Sequence, residues 1–399
     1  VFESSTGYLQ FDSRDASGGS SDVYIRTDMN FRDPSAWYHI VIAADSTDGT
    51  AGNRFKVYVN GVQQDLTTST AVPEDYEFFF NETTGTKKIG VAFTSNFYDG
   101  YLSEFYFIDG TVYDADDFGE TDSSGIWKPK EAKDDLTFGN NGFFLEFKET
   151  GTSQNSSGIG ADTSGNDNHW AVVSDLNSRD IQTDTPTNNF ATLNPLDVRQ
   201  GGTFVDGNCQ VTTDSSNRNY VISTIGASNG KWYCEATVAD GAANAWLGVA
   251  DFDDLLVSSS STLGDNSNEI GLGYEGTYQK NNSYGVGWSG SYADADIIGV
   301  LLDLDNNRIT YHKNGSYSDG SGNFDESSPT AYISFTNSTM GFAFGDGAGA
   351  ATSTYKVNFG NPITTISSGN ADANGYGNFE YAVPSGYYAL CTKNLAEYG

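Results

Sequence analysis

The sequence predicts an all-β protein built as two antiparallel β-sandwiches in series with a polar linker between them. The first observation is Ile297–Gly315, which reads as strand, polar turn, strand, with the turn dipeptide Asn314-Gly315 at its end. The second is Arg54–Gly61, where Phe55, Val57 and Val59 alternate before another Asn-Gly turn. Two hairpins of one design, far apart in the chain, favour two sandwich domains.

Composition is the third observation behind this fold class. The chain has 399 residues, with 46 Gly, only 8 Pro, 25 Phe and 24 Tyr. Many aromatic residues and glycines with little helix-forming sequence are typical of short strands joined by tight turns. The length exceeds one ordinary core, so we expect two.

Residues 1–150 are predicted to form the first sandwich. Trp37–Ala44 is apolar on both of its alternating faces, which predicts a strand that is covered on two sides. Asp114–Gly119 is expected to make one helical turn. The chain starts at Val1 within strand-like sequence, so we expect it to be a piece of a longer protein.

Residues 151–195 are rich in Ser, Gly, Asn, Asp and Thr and are predicted to be a linker. Trp170 and its apolar neighbours indicate that part of this linker packs on an adjacent domain. Residues 196–360 carry strand candidates every 8–15 residues and form the second predicted sandwich. Residues 361–399 are a Gly/Asn-rich C-terminal extension.

The formal net charge is −33 and no basic patch offsets it. Phosphate binding relies on clustered Lys and Arg, so the charge argues against nucleic acid and anionic membranes as partners. No apolar run is long enough to insert into a bilayer. An acidic surface also keeps a β-rich protein soluble.

The cysteines do not indicate a disulfide framework. Cys234 shares a strand face with Trp232, Ala236 and Val238, which predicts a small buried apolar residue. Cys209 and Cys391 pair only if the fold brings them together.

No residue pattern indicates catalysis. The histidines His39, His169 and His312 are scattered, without a neighbouring nucleophile. Asp303 and Asp305 have the spacing of a glycosidase pair, but they precede a tight turn. We therefore predict that the protein is not an enzyme and needs no cofactor, apart from Ca²⁺ as described next.

Calcium is one candidate ligand. Asp372 and Asn374 supply alternate oxygen ligands in a loop that contains a glycine, and Asp319 and Asp325 belong to a similar ladder. Ordinary Asp/Asn/Gly turns give the same pattern, so both interpretations remain open.

A recognition surface is the other candidate. Aromatic faces stack on sugar rings while amides bind sugar hydroxyls, so interleaved aromatic and amide residues suit a glycan-binding site. They suit a protein interface or the rim of a core equally well. The candidate ligand-binding residues are Tyr274, Tyr278, Asn281, Asn282, Tyr284 and Trp288.

The second domain resembles the SPRY family, a concanavalin A-like sandwich. The resemblance is carried by GKWYCEATV (230–238), AWLGVAD (245–251), IGLGY (270–274), YGVGW (284–288) and FAFGDG (342–347). The first domain resembles a LamG-type jelly roll through AWYHIVIAAD (36–45), FKVYVNG (55–61) and DGYLSEFYFIDG (99–110). The resemblance implies two concanavalin A-like jelly rolls, with partner binding in the loops 251–269 and 275–283 of the second.

The combination of the two domains is similar to large virion structural proteins of tailed phages, especially marine ones. It implies a non-enzymatic fibre, appendage or surface decoration on the virion. Its partners would be other virion proteins, further copies of itself and a host-surface glycan or protein. A secreted bacterial adhesin or a polysaccharide-degrading enzyme are the alternatives.

Overall fold

The computed structural model describes most of the chain. The described residues are 7–13, 23–33, 36–78, 80, 86–92, 96–98, 100–173, 176, 181–185, 187–199, 202–215, 218–252, 262–266, 268–285, 291–336, 338–347 and 351–399. They divide into two compact units, 1–178 and 179–399, which are described separately. Nearly all regular secondary structure among the described residues is antiparallel β-strand, which confirms the all-β class.

The first unit contains short antiparallel sheets. Its elements are β1 Tyr8–Ser13, β2 Val23–Asn30, β3 Ile40–Ala44, β4 Phe55–Val59, β5 Val62–Gln63, β6 Leu66–Thr70, β7 Val91–Ala92, β8 Asn96–Phe97, β9 Phe105–Phe107, α1 Ala115–Phe118, β10 Gly119–Thr121, β11 Trp127–Pro129 and β12 Phe143–Leu145. Strands β1-β2-β6 form one three-stranded sheet and β3-β4-β5 another. The inward side chains of β2 and β4 share one core.

The hairpin predicted at Arg54–Gly61 is confirmed. Strand β4 buries Phe55, Val57 and Val59, and the turn places Asn60 at φ 48° and Gly61 at φ 78°. These angles lie in the left-handed region that Asn and Gly tolerate best, so the dipeptide turns the chain tightly.

Two further predictions for the first unit have opposite outcomes. The helical turn is confirmed as α1, which the Asp114 side chain caps by accepting a hydrogen bond from the Asp116 backbone N–H. The prediction that Trp37–Ala44 is covered on both faces is wrong. Strand β3 begins only at Ile40, and the Ile42 side chain is 47% exposed, so the face that carries Ile42 is only partly covered.

Residues 151–173 are held against β12 by buried hydrogen bonds. Asp162 Oδ1 accepts from the Phe144 backbone N–H at 2.9 Å, and its carboxylate also accepts from the N–H groups of Ser164 and Asn168. Residues 151–173 therefore belong to the first unit, together with strand β12.

The second unit is a sandwich of two large sheets. Its elements are β13 Leu193–Arg199, β14 Gly202–Val205, β15 Gln210–Thr213, β16 Tyr220–Ser223, β17 Lys231–Asp240, β18 Ala245–Asp251, β19 Ile270–Gly273, β20 Tyr278–Lys280, β21 Ser283–Gly285, β22 Ile297–Asp303, β23 Arg308–Lys313, β24 Ser316–Ser318, β25 Phe324–Glu326, β26 Ile333–Ser334, β27 Met340–Asp346, β28 Thr354–Asn358, β29 Tyr388–Ala389 and α2 Thr392–Tyr398.

One sheet has seven strands in the order β13-β16-β27-β18-β19-β20-β21. The other has ten, with β14-β15-β28-β17-β22-β23-β24-β25 along its path, β26 beside β23 and β29 parallel to β17. Inward residues of both sheets make a single core that includes Leu247 and Val249 from the first and Val300 and Tyr311 from the second. The hairpin predicted at Ile297–Gly315 is confirmed as β22 and β23.

The C-terminal extension, residues 361–399, covers the outer face of the ten-stranded sheet. Phe379, Tyr387 and Ala389 pack there against Tyr233 and Leu301. The extension ends in helix α2, which composition did not predict. Cys209, Cys234 and Cys391 are all buried free thiols, and Cys234 lies in the core as predicted. Over the described residues, no helix is long and apolar enough to cross a membrane.

Candidate functional site

An aromatic corner lies on the outer face of the seven-stranded sheet. Along β18 the side chains alternate, so Leu247 and Val249 enter the core while Trp246 points outward. Strand pairing places Trp246 opposite Gly273 of β19. Tyr284 of β21 points to the same face, since it pairs with Gln279, which pairs with Gly271.

Glycines leave room for the indole. A Cβ at Gly273 would lie 2.8 Å from Trp246 Cζ2, and one at Gly271 would lie 3.0 Å from Cε3. A Cβ at Gly347 would clash with Nε1. The indole therefore lies across backbone, and larger residues at these positions would push it away from the sheet.

Tyr284 forms the second side of the corner. Its ring centroid lies 6.2 Å from that of Trp246 with an interplanar angle of 66°, and its side chain is 60% exposed. Among the described residues, neither the Trp246 Nε1–H nor the Tyr284 hydroxyl has a hydrogen-bond partner. Two aromatic side chains thus meet at one partly exposed place.

Sequence reasoning identified Tyr284 but missed Trp246. Tyr274 and Tyr278 pack against the core, because Tyr278 lies on the inward face of β20. Asn281 and Asn282 have φ of 50° and 55° and make the turn between β20 and β21. Trp288 and most of the loop 251–269 lie outside the described residues. The alternation of AWLGVAD with the glycines of IGLGY was the signal that could have found Trp246.

The carboxylate oxygens of the calcium candidates Asp372 and Asp319 accept hydrogen bonds from residues of their own loops. Asp372 Oδ1 accepts from the N–H groups of Asn374 and Tyr376, and its Oδ2 accepts from the Ala389 N–H and the Asn394 amide at 2.7 Å. These bonds tie the loop to α2 and β29. A cation at Asp372 would compete with all four donors.

Asp319 is in a similar state within its own loop. Its oxygens accept from the backbone and side chains of Ser321 and Asn323, and these hydrogen bonds lower the pKa of its carboxyl group. The side chain of Asp325 is exposed, in β25. In the part of the chain that the structure describes, no three His, Cys, Asp or Glu side chains form a metal-binding group. Calcium binding at these residues stays a prediction.

A buried hydrogen-bonded chain links Tyr233, Glu235 and His312, and sequence reasoning missed it. The Gly315 N–H donates to His312 Nδ1, so Nε2 carries the proton and donates to the Tyr233 oxygen at 2.7 Å. The Tyr233 hydroxyl donates to Glu235 Oε1 at 2.8 Å. Tyr233 and Glu235 are two residues apart on β17, whereas His312 lies on β23, and only the pairing of β17, β22 and β23 brings His312 to them.

The hydrogen-bonded side chains of Tyr233, Glu235 and His312 anchor the C-terminal extension. The carboxylate of Glu235 accepts from the backbone N–H groups of Glu380 and Tyr381 at 2.9 and 2.8 Å. Burial raises the pKa of Glu235 and lowers the pKa of His312 to about 3. His312 is therefore neutral at pH 7, and all three side chains are buried.

Asp303 and Asp305 both accept hydrogen bonds from neighbouring residues of the fold. Asp303 is fully buried, accepts from Arg308 Nε at 2.8 Å and from the Asn306 amide, and lies 3.7 Å from Lys231 Nζ. Asp305 accepts from the Gly230 N–H.

Comparison with known proteins supports the fold. Residues 1–116 match the family model Laminin_G_3, described as the concanavalin A-like lectin/glucanases superfamily, which confirms the concanavalin A-like fold of the first unit. No curated protein matches the chain.

Among solved structures, the chain is similar to SPRY domains. The SPRY domain of human HERC1 has 15% identity and a TM-score of 0.32, covering 41% of this chain and 96% of that one. The TRIM65 PSpry domain has 16% identity and a TM-score of 0.31, with 42% and 89% coverage. Stonustoxin has 20% identity and a TM-score of 0.32, covering 42% of this chain and 27% of that one.

Proposed function

We propose that the chain is a non-enzymatic binding module at the surface of a tailed-phage virion. It forms part of a fibre, appendage or decoration and contacts other virion subunits and host-surface glycans. Copies of the chain associate into homo-oligomers, so that many sites of low affinity act together through effective concentration. Nucleic acid is not a partner, because a net charge of −33 repels phosphate.

The contrast between two sets of side chains carries this proposal. Among the described residues, several titratable side chains form hydrogen bonds within the fold: Asp303, Glu235, His312 and Asp372. The Trp246 and Tyr284 pair instead combines aromatic faces with available polar groups on the outside. A binding surface needs the second arrangement, whereas catalysis needs reactive groups that reach a substrate.

The lectin part of the family description of residues 1–116 supports a sugar-binding role. The same description names glucanases, which favours a polysaccharide-degrading enzyme as the second candidate. Incubation of the purified chain with host polysaccharide separates the two, because an enzyme releases reducing ends and a binding module does not.

The proposed function is tested on the intact chain. Its mass in solution is measured by light scattering, and its binding is measured on a glycan array and on host cells. We expect an oligomer that binds at least one host-surface glycan. A monomer that binds neither the array nor the cells would overturn the proposal.

A further inference from the structure

We propose that Trp246 and Tyr284 form a binding site for one uncharged pyranose ring. The inference rests on the proposed glycan-binding function and names the site and the class of ligand. The indole receives the apolar face of the sugar, and the Tyr284 ring borders it at 66°. Two faces at this angle fit the edge and one side of a single six-membered ring.

The strand backbone beneath the indole of Trp246 holds this ring in place as a stacking surface. Because Gly271 and Gly273 carry no side chain, the indole rests on the backbone of β19 instead of standing upright. Its position is therefore set before a ligand arrives. A positioned ring loses little conformational entropy on binding, which favours affinity for a small ligand.

The polar groups of the corner match the hydroxyls of a sugar. Trp246 Nε1–H is a donor only, while the Tyr284 hydroxyl both donates and accepts. Neither has a partner among the described residues. A pyranose presents hydroxyls around its rim, so a ring stacked on the indole places them within reach of both groups.

Charge selects an uncharged sugar. Glu269 lies beneath the same outer face, where it accepts from the Tyr220 hydroxyl. The rest of the chain adds to a net charge of −33. Uronic and sialic acids would meet this negative potential, whereas neutral hexoses would not.

The size of the surface favours a sugar over a protein partner. Of the large apolar side chains described in the seven-stranded sheet, only Tyr284 and Leu196 are strongly exposed, and Leu196 lies in β13 at the opposite edge. A stable protein interface buries roughly 800 Å² per partner. The corner alone offers one ring-sized contact.

The experiment titrates the full chain with neutral gluco-, manno- and galacto-oligosaccharides and with an oligogalacturonate, following tryptophan fluorescence and calorimetric heat. The variants are Trp246→Ala, Trp246→Phe, Tyr284→Ala and Tyr284→Phe. Tyr98→Ala, which removes an exposed aromatic side chain of the first unit, is the matched control. Circular dichroism reports whether each variant is folded.

We expect a neutral oligosaccharide to bind and the oligogalacturonate not to bind. Trp246→Ala and Tyr284→Ala should each weaken binding by about tenfold, the effect of losing one aromatic contact of roughly 1.4 kcal/mol. The phenylalanine variants should keep stacking and lose only the hydrogen bond, so their loss should be smaller. Tyr98→Ala should bind like the wild type.

Equal binding by wild type and Tyr284→Ala would overturn the inference, and this variant is exposed enough to fold if Trp246→Ala does not. Binding of oligogalacturonate in preference to neutral sugars, or of an unrelated protein or peptide alone, would also overturn it. If the chain binds host glycans and the corner variants leave that binding unchanged, the proposed function stands while the inference falls.

Discussion

Replacing His312 with glutamine tests the buried chain that anchors the C-terminal extension. His312 is enclosed, and its Nε2–H donates to Tyr233, whose hydroxyl donates to Glu235. Glutamine keeps an amide N–H for Tyr233 but cannot gain a proton in this pH range. His312→Gln therefore changes the dependence of stability on pH, apart from any constant cost of repacking.

The magnitude follows from the pKa. Burial lowers the pKa of His312 from 6.5 to about 3, so below pH 6.5 the unfolded chain takes up a proton that the folded chain refuses. This contribution to stability is complete above pH 6.5 and is lost as the pH falls towards 3. The free energy of unfolding should fall by about 1.4 kcal/mol per pH unit, or about 2 kcal/mol between pH 6.5 and pH 5.

The assay is urea unfolding of both proteins from pH 7.5 to pH 5, followed by tryptophan fluorescence. Glu235 is present in both proteins, and because its pKa is raised by folding it makes the free energy of unfolding rise as the pH falls, opposite to His312. The difference between the pH slopes of the two proteins therefore isolates His312. We expect the wild type to lose about 2 kcal/mol more than His312→Gln over this range. If the free energies of unfolding of the two proteins changed in parallel with pH, the conclusion that His312 is buried and neutral would be refuted.

Three further predictions concern stability. Gly299→Ala places a Cβ against the His312 ring and should lower the free energy of unfolding by about 1–3 kcal/mol. Gly49→Ala, with open space around it, should change that free energy by less than about 0.5 kcal/mol. Urea unfolding compares the two variants, and equal losses of stability would contradict the packing around Gly299. Asp303→Ala leaves Arg308 without its buried partner and should cost about 3 kcal/mol or more, and a neutral effect on the urea midpoint would count against this role. Salt screens the charge of −33, so the Tm measured by calorimetry should rise between low and physiological ionic strength, and a fall would contradict it.

The hairpins could be predicted from local patterns because each carries its own information. In Ile297–Gly315 the apolar alternation fixes the buried face and Asn314-Gly315 fixes the turn, with φ of 50° and 85°. No distant residue is needed to specify either feature. The same holds for the short helix α1, whose cap is only one residue before it.

Features that depend on strand order could not be predicted in this way. Tyr233 and His312 are 79 residues apart in sequence and meet only because β17 and β23 both flank β22. Trp246 and Tyr284 likewise share a face only after β18, β19, β20 and β21 pair in sequence. Tyr278 was placed in the candidate site because its aromatic type was visible, but the face of its strand was not.

The most direct test of the binding account is to mix the full chain with a neutral oligosaccharide that it binds, measure the heat of binding, and then examine the sugar by mass spectrometry. The account predicts saturable binding, weakened about tenfold in Trp246→Ala, and an oligosaccharide recovered intact. Shortened sugars would show that a reactive group acts on the ligand, and saturable binding that survives removal of both Trp246 and Tyr284 would show that the ligand is held elsewhere.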